Sequence, residues 1–480
     1  MNYINGKWIT NASTGKTFKS INPANKDEVL GEFPLSGKED VELAVASAKK
    51  AQKEWKKIPA PERGRLLFNI AKLMERDKEL LAETITREMG KTFSESLGEV
   101  QVSIDMVYYS AGEGRRLIGE TVPSEKRDKY IVYFREPVGV AGIITPWNFP
   151  LLLPVRKIMP ALIAGNTVVF KPSRETPLVA QKFVKLLEEA GLPPGVINLI
   201  QGSGESVGME IVRHPDVGVV SFTGSVETGR KIGAICGEQI KKVGLELGGK
   251  NPVIVLEDAD MDLALEGCVS GAYGATGQKC TAASRIIVEE KVYNKFIDGF
   301  IERVKKIKVG NGMDKNTDMG PLVSESQLDK VKYYVELGIK EGARLAYGGN
   351  ILSGNEFSKG FFFEPTVFID VTPEMRIARE EIFGPVVCIM KAKDFDSAIE
   401  IANSTEFGLS ASIYTKDLKK SFKAMGLLES GVVYVNAPPT GAEIQGLFGG
   451  IKASGNGERE QGTTAIDLFT EWKTVFIVLG

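Results

Sequence analysis

Val140-Ala141-Gly142-Ile143-Ile144-Thr145, followed at once by Pro146-Trp147-Asn148-Phe149-Pro150, is where the pattern that decides the fold begins. A short apolar, β-branched run cut off by a proline-rich break reads as a buried strand. An apolar helical stretch follows and stops at Gly165, and residues 166–171 are strand-like again. Thr176, placed to cap with Pro177 after it, opens the next helix, and Gly191 sits where that helix ends. Residues 196–200 and 217–222 add two more strands. Strand and helix in alternation mark a parallel sheet with crossover helices, and in such sheets ligands sit off the carboxyl ends of the strands.

Outward from this unit, residues 1–35 read as short strands and turns. Helical periodicity runs over 39–56, with Val41, Ala44, Ala48 and Ala51 on one stripe. Pro61 opens a second helical stretch that reaches Leu80 and Leu81, and a third covers about 93–117. In the other direction the alternation restarts after Gly248-Gly249: a strand at 252–256, a helix from Asp260, and helices around 293–306 and 325–341. Two β-rich runs, 129–135 and 472–478, have no neighbour in sequence, and paired they make a small projecting ribbon that joins subunits. The expected class is α/β, with two Rossmann-like parallel-sheet domains and a small β oligomerisation element. The boundaries expected are 1–121 and 139–248 for a cofactor-binding domain, 249–450 for a catalytic domain, and 122–138 with 451–480 for the oligomerisation element. The assembly expected is a homo-oligomer, dimer or tetramer.

Composition narrows the function. A chain of 480 residues is too long for one ordinary core. With 43% hydrophobic and 25% charged residues it has the make-up of a globular protein in water. A formal net charge of −2 leaves no basic surplus for a nucleic-acid partner. No run of apolar residues is long enough to span a membrane and no signal peptide is present, so the cytoplasm is the expected location. The four cysteines, Cys236, Cys268, Cys280 and Cys388, lack the spacing of a disulfide framework or a thiolate metal site. His214 is the only histidine and reads as a surface turn residue before Pro215. Any catalytic base is therefore a carboxylate.

Gly271-Ala272-Tyr273-Gly274-Ala275-Thr276-Gly277-Gln278-Lys279-Cys280 crowds small residues beside one cysteine and leaves room for a substrate carbon at its sulfur. From the window alone Cys280 is either a small buried hydrophobe or a nucleophile. Gly202-Ser203-Gly204-Glu205-Ser206-Val207-Gly208 is one residue off a dinucleotide fingerprint. The junction Phe222-Thr223-Gly224-Ser225 is the better phosphate site, with Ser225 opening a helix whose amides can hold a pyrophosphate. Lys171-Pro172-Ser173-Arg174 lies at a strand's carboxyl end, where lysine and serine donate to ribose hydroxyls. Glu246, before Leu247-Gly248-Gly249-Lys250 at the domain boundary, is placed to reach a cleft, and Asn148 offers an amide donor in a rigid loop.

Taken in order, Pro146-Trp147-Asn148-Phe149-Pro150, Lys171-Pro172-Ser173, Phe222-Thr223-Gly224-Ser225, Leu245-Glu246-Leu247-Gly248-Gly249-Lys250, Gly277-Gln278-Lys279-Cys280 and Glu380-Glu381-Ile382-Phe383-Gly384-Pro385 resemble the signature segments of the aldehyde dehydrogenase superfamily, over nearly the whole chain. The resemblance implies Cys280 as nucleophile, Glu246 as the base that activates the hydrolytic water, and Asn148 with the Cys280 amide as oxyanion hole. It implies Thr145, Pro146, Trp147, Lys171, Ser173, Arg174, Gly204, Gly208, Phe222, Thr223, Gly224, Ser225, Leu247, Glu381 and Phe383 at a nicotinamide cofactor, and no metal. Arg174 stands where NAD-using members commonly carry glutamate, so NADP is favoured and NAD remains possible. Arg156 is where semialdehyde-oxidising relatives place an arginine for a substrate carboxylate, while the second arginine of succinic semialdehyde enzymes is missing at Ala272-Tyr273-Gly274. Ala111-Gly112-Glu113-Gly114, Gly277-Gln278-Lys279-Cys280-Thr281-Ala282 and Arg459-Glu460-Gln461-Gly462 are most similar to the 2-oxoglutarate semialdehyde branch. The expected reaction is oxidation of that aldehyde through a cysteine thiohemiacetal and thioester; succinic semialdehyde and glyceraldehyde are the alternatives within the class, and a cofactor-independent cysteine esterase the alternative outside it.

Overall fold

A computed structural model describes residues 1–479. Two seven-stranded sheets dominate it. In the first, the strands Lys242–Glu246, Val217–Thr223, Val140–Ile144, Thr167–Lys171 and Ile197–Leu199 run parallel, and the amino-terminal hairpin Asn2–Ile4 and Lys7–Ile9 adds an antiparallel edge. In the second, Thr366–Ile369, Val386–Ala392, Ala283–Glu289, Asn251–Val255, Ser410–Tyr414 and Val432–Val435 are parallel, with Arg344–Tyr347 antiparallel at one edge. The parallel strands are apolar on both faces because helices cover both, and Val140–Ile144, Thr167–Lys171 and Asn251–Val255 are buried at every position. The chain is therefore α/β as expected.

The two β runs left over in the sequence pair along their whole length. Thr470–Val478 lies antiparallel to Lys129–Pro137, from Thr470 opposite Pro137 to Val478 opposite Lys129, and Glu120–Val122 adds a third strand. Residues between this ribbon and the second sheet do something else: Ile466, Leu468 and Phe469 pack into the core of the first sheet, and Glu460 reaches Lys157.

Three local expectations are corrected. The helical stretch after Pro61 is two helices, Ala60–Arg76 and Lys78–Met89, parted at Asp77, whose φ of −100° and ψ of 19° leave the helical region. Thr176 does not cap the helix Pro177–Glu189; its hydroxyl is buried without a partner. The buried carboxylate of Glu88 accepts from the amides of Leu178 (2.8 Å) and Val179 (2.9 Å) instead, and burial raises it to about 7. A cap from 90 residues upstream leaves no local signal. His214 is in a turn, but its side chain is only 9% exposed, ordered by the Asp216 amide at 3.1 Å and by Glu42. It precedes the strand Val217–Thr223, at the opposite end from Thr223.

Among the described residues no helix is long and apolar enough to cross a membrane, and no cluster of potential metal ligands occurs.

Candidate active site

The loop that carries Cys280 is held in an unfavourable backbone conformation. After the helix Met261–Tyr273, Ala275 and Thr276 take φ of 50° and 59°, a region that costs a non-glycine residue about 1 kcal/mol or more. Surrounding bonds keep them there. Thr276 Oγ1 donates to the Gly320 carbonyl (2.9 Å), and the buried Gln278 Oε1 accepts from the Val323 amide (3.0 Å). Asn251 Nδ2 donates to the carbonyls of Cys280 (2.8 Å) and Ala282 (2.9 Å). Cys280 ends up partly accessible, while Cys236, Cys268 and Cys388 are buried. Desolvation pushes its thiol up to about 12, against which the positive charge of Arg156 works most strongly.

Asn148 faces this loop from the first sheet. Its Nδ2 donates to the Gln278 carbonyl at 3.1 Å, and its Oδ1 is buried without a partner. The loop is clamped from behind by a buried ion pair. Lys91 Nζ bonds Glu99 (2.7 Å) and the Asn148 carbonyl (2.7 Å), and Glu99 Oε1 accepts from the amides of Leu151 (2.9 Å) and Leu152 (3.1 Å). Lys91 also lies 3.9 Å from the centre of the Phe149 ring.

Arg156 comes from the helix Leu152–Ala164 that leaves this loop. It is 7% exposed, stacks 4.4 Å over the Phe448 ring, and makes no hydrogen bond or ion pair among the described residues. Arg156, Cys280, Phe149, Lys279, Thr440 and Phe448 share the lining of one cavity of about 300 Å³.

Glu246 ends the strand Lys242–Glu246, level with Thr223 in the neighbouring strand. Neither of its carboxylate oxygens has a partner, and burial, then the nearby charge of Glu460, holds its carboxyl well above the usual range. Beside it Lys157 forms an ion pair with Glu460 and bonds Ser221 Oγ at 3.1 Å.

Most of the remaining residues of the expected cofactor site lie along the carboxyl edge of the first sheet. Thr145 and Thr223 leave buried hydroxyls unpartnered there. Ser225 Oγ caps the helix Val226–Glu238 through the Thr228 amide (3.3 Å), and the Phe222 ring fills the space a side chain at Gly224 would need. Leu247 packs on Gly229 of the same helix. Lys171 turns its ammonium onto the Pro172 carbonyl (2.6 Å), and burial lowers it to about 8. Ser173 Oγ accepts from the Glu175 amide (3.3 Å), and Arg174 is exposed. Gly204–Gly208 forms a single wide helical turn, with Gly208 packed on Lys171. On the facing wall Glu381 Oε1 accepts from the Gly249 amide (3.0 Å), and any side chain at Gly248 would strike that carboxylate. Phe383, at φ 64°, meets Trp147 edge to face with 5.3 Å between ring centres, and Gln327 Nε2 holds its carbonyl at 2.7 Å.

Comparison with known proteins accounts for this arrangement. The model of the aldehyde dehydrogenase family matches residues 8–475. This chain belongs to that family. It is similar to the alpha-ketoglutaric semialdehyde dehydrogenase of Bacillus subtilis (strain 168), at 44% identity over 99% of this chain and 98% of the relative. It superposes on the betaine aldehyde dehydrogenase of Staphylococcus aureus in complex with NAD+ with a TM-score of 0.97, at 38% identity and covering 99% of this chain and 94% of that one. A 3,6-anhydro-L-galactose dehydrogenase in complex with NADP gives 0.96 at 40% identity, covering 99% of each chain.

This aldehyde dehydrogenase is thus an oxidoreductase that takes an aldehyde to its acid with a nicotinamide dinucleotide. The carboxyl edge of the first sheet fits such a group: Thr145 and Thr223 offer unspent hydroxyls, and Gly204 borders open space. The esterase alternative is not favoured. The fold brings Cys280, Asn148, Arg156 and Glu246 together from both sheets. Sequence reading missed Lys91, Glu99, Lys157, Glu460, Asn251 and Gln327. Each acts on a partner that its own stretch of sequence does not reveal.

Proposed function

We propose that this aldehyde dehydrogenase oxidises 2-oxoglutarate semialdehyde, or an equally short aldehyde that carries a carboxylate. The observation that carries the reading is Arg156: a buried, unpaired guanidinium on the wall of the cavity that holds Cys280. A buried cation without a partner is costly unless an anion arrives with the substrate. The similarity to the alpha-ketoglutaric semialdehyde dehydrogenase of Bacillus subtilis supports this reading.

In this reading the Cys280 sulfur adds to the aldehyde carbon, and the oxygen becomes an alkoxide facing the Asn148 amide and the Cys280 backbone N–H. Donors aimed at developing charge contribute about 3 kcal/mol each. Bound nicotinamide supplies the hydride acceptor. Glu246 then deprotonates the water that opens the thioester. Lys157 and Glu460 sit behind Glu246; the charge of Glu460 adds to the cost of ionising it and that of Lys157 opposes this. Glu381 and Phe383 take the nicotinamide ribose and ring, and Thr145, Pro146, Trp147, Lys171, Ser173, Gly204, Gly208, Phe222, Thr223, Gly224, Ser225 and Leu247 the rest of the cofactor.

The test is a panel of aldehydes. Arg156→Met is expected to lower the kcat/KM ratio of carboxylated over unsubstituted aldehydes by about 10- to 100-fold, the worth of a charged hydrogen bond. An unchanged ratio removes Arg156 from carboxylate binding.

Arg174 is exposed beside Ser173 and suits a 2′-phosphate, so NADP is preferred and NAD accepted. Arg174→Glu is expected to shift the NADP/NAD ratio of kcat/KM by about tenfold or more toward NAD. A ratio that stays put assigns the preference elsewhere. We assign residues 1–121 and 139–248 to cofactor binding, 249–450 to catalysis, and 122–138 with 451–480 to oligomerisation. Tyr130, Phe134, Phe476, Ile477 and Val478 of the ribbon are exposed, which suits burial in a homo-oligomer, dimer or tetramer. A cytoplasmic location keeps the thiol of Cys280 reduced.

A further inference from the structure

We propose that Lys279 is a second, specificity-determining cation for the anionic tail of the substrate, and that Gly274 makes the room for it. The inference rests on the reading above that the substrate carries a carboxylate.

Lys279 immediately precedes Cys280 and is half-buried. Among the described residues its ammonium makes neither a hydrogen bond nor an ion pair. Its ammonium fills the space that a Cβ at Gly274 would occupy, so any other residue there would drive it out. The nearest anion, Glu95, favours its charge but forms no ion pair with it. Glu95 has one oxygen 3.5 Å from that same point, and its carboxylate accepts from the Ala275 amide (2.6 Å), the Thr92 amide (3.0 Å) and the Thr92 hydroxyl (3.0 Å).

Lys279, with Glu95 and Thr440, lines both the cavity of Cys280 and Arg156 and a wider cavity of about 690 Å³ beyond it. It therefore stands at the partition between the two. Lys91 lines the inner cavity too, but its charge is spent on Glu99 and the Asn148 carbonyl. Two free cations remain on the inner wall, Arg156 and Lys279. Desolvation disfavours the charge of Lys279, and an incoming carboxylate restores it. Gly274, in the stretch Ala272-Tyr273-Gly274 that lacks the second arginine, is thus what lets a lysine five residues later serve.

The experiment measures kcat/KM for 2-oxoglutarate semialdehyde, succinic semialdehyde and pentanal with the wild type, Lys279→Met, Lys279→Arg and Gly274→Ala. Lys279→Met and Gly274→Ala are expected to lower the carboxylated/neutral ratio about tenfold, and Lys279→Arg to restore most of it. Competitive inhibition by glutarate against pentanal is the second readout, and its Ki is expected to rise about tenfold in Lys279→Met. That readout does not depend on which aldehyde is physiological. If Arg156→Met shifts the ratio and Lys279→Met moves neither ratio nor Ki, the Lys279 proposal is overturned and the substrate reading stands. If Lys279→Met depresses all three aldehydes equally, Lys279 is structural and the proposal fails. If the wild type favours pentanal and ignores glutarate, the substrate reading fails first and takes this proposal with it.

Discussion

Cys280→Ser is expected to abolish NAD(P)H formation with every aldehyde, a loss of ~10³-fold or more. The pocket already pushes the thiol up to about 12, and a serine hydroxyl ionises far less readily than a thiol. Arg156 helps the thiolate through its charge but cannot make an alkoxide in the same place. The variant is expected to fold normally, because the carbonyl of residue 280, not its side chain, is what Asn251 holds. Reduction at 340 nm measures the loss, and cofactor binding followed by fluorescence checks that the cleft survives. Residual dehydrogenase activity within tenfold of wild type would sink the assignment of Cys280.

Glu246→Gln should separate the two halves of the reaction. Glutamine keeps the shape and removes the base, so hydride transfer proceeds once and the thioester waits. Stopped-flow mixing is expected to give a burst of NAD(P)H near one per active site, followed by turnover ~10²- to 10⁴-fold slower than wild type. Hydroxylamine, which attacks a thioester without a base, should restore cycling. The pH dependence follows from burial. Glu246 is held well above the usual carboxylate range, so at acid pH it carries its proton and cannot act as a base. Wild-type deacylation should therefore rise with pH as the proton leaves, and the glutamine variant should lose that dependence. A variant with no burst places Glu246 before hydride transfer instead.

Much of this is legible in the sequence. The strand–helix alternation after Val140 signals a parallel sheet because burial on both faces demands continuous apolar strands. The orphan runs near 130 and 475 pair because exposed edges and half-apolar faces need a partner. Lys157 and Glu460 were silent. They lie 303 residues apart, and nothing in either window says that a buried lysine waits for that glutamate. The left-handed run at Ala275 and Thr276 was equally hidden, because neither residue type favours it and bonds to Glu95, Gly320 and Val323 hold it.

By itself, then, the sequence determined the α/β class, the order of the elements and which residue types could supply a nucleophile, a base and an amide donor. Those follow from periodicity, turn chemistry and the scarcity of histidine, all local properties of the chain. The tertiary structure alone decided which charges are free. Lys91 and Lys157 are neutralised by buried carboxylates, whereas Arg156 and Lys279 are left unpaired around Cys280. Pairing depends on what the fold brings within a few ångströms, and the adjacent Arg156 and Lys157 part ways only there.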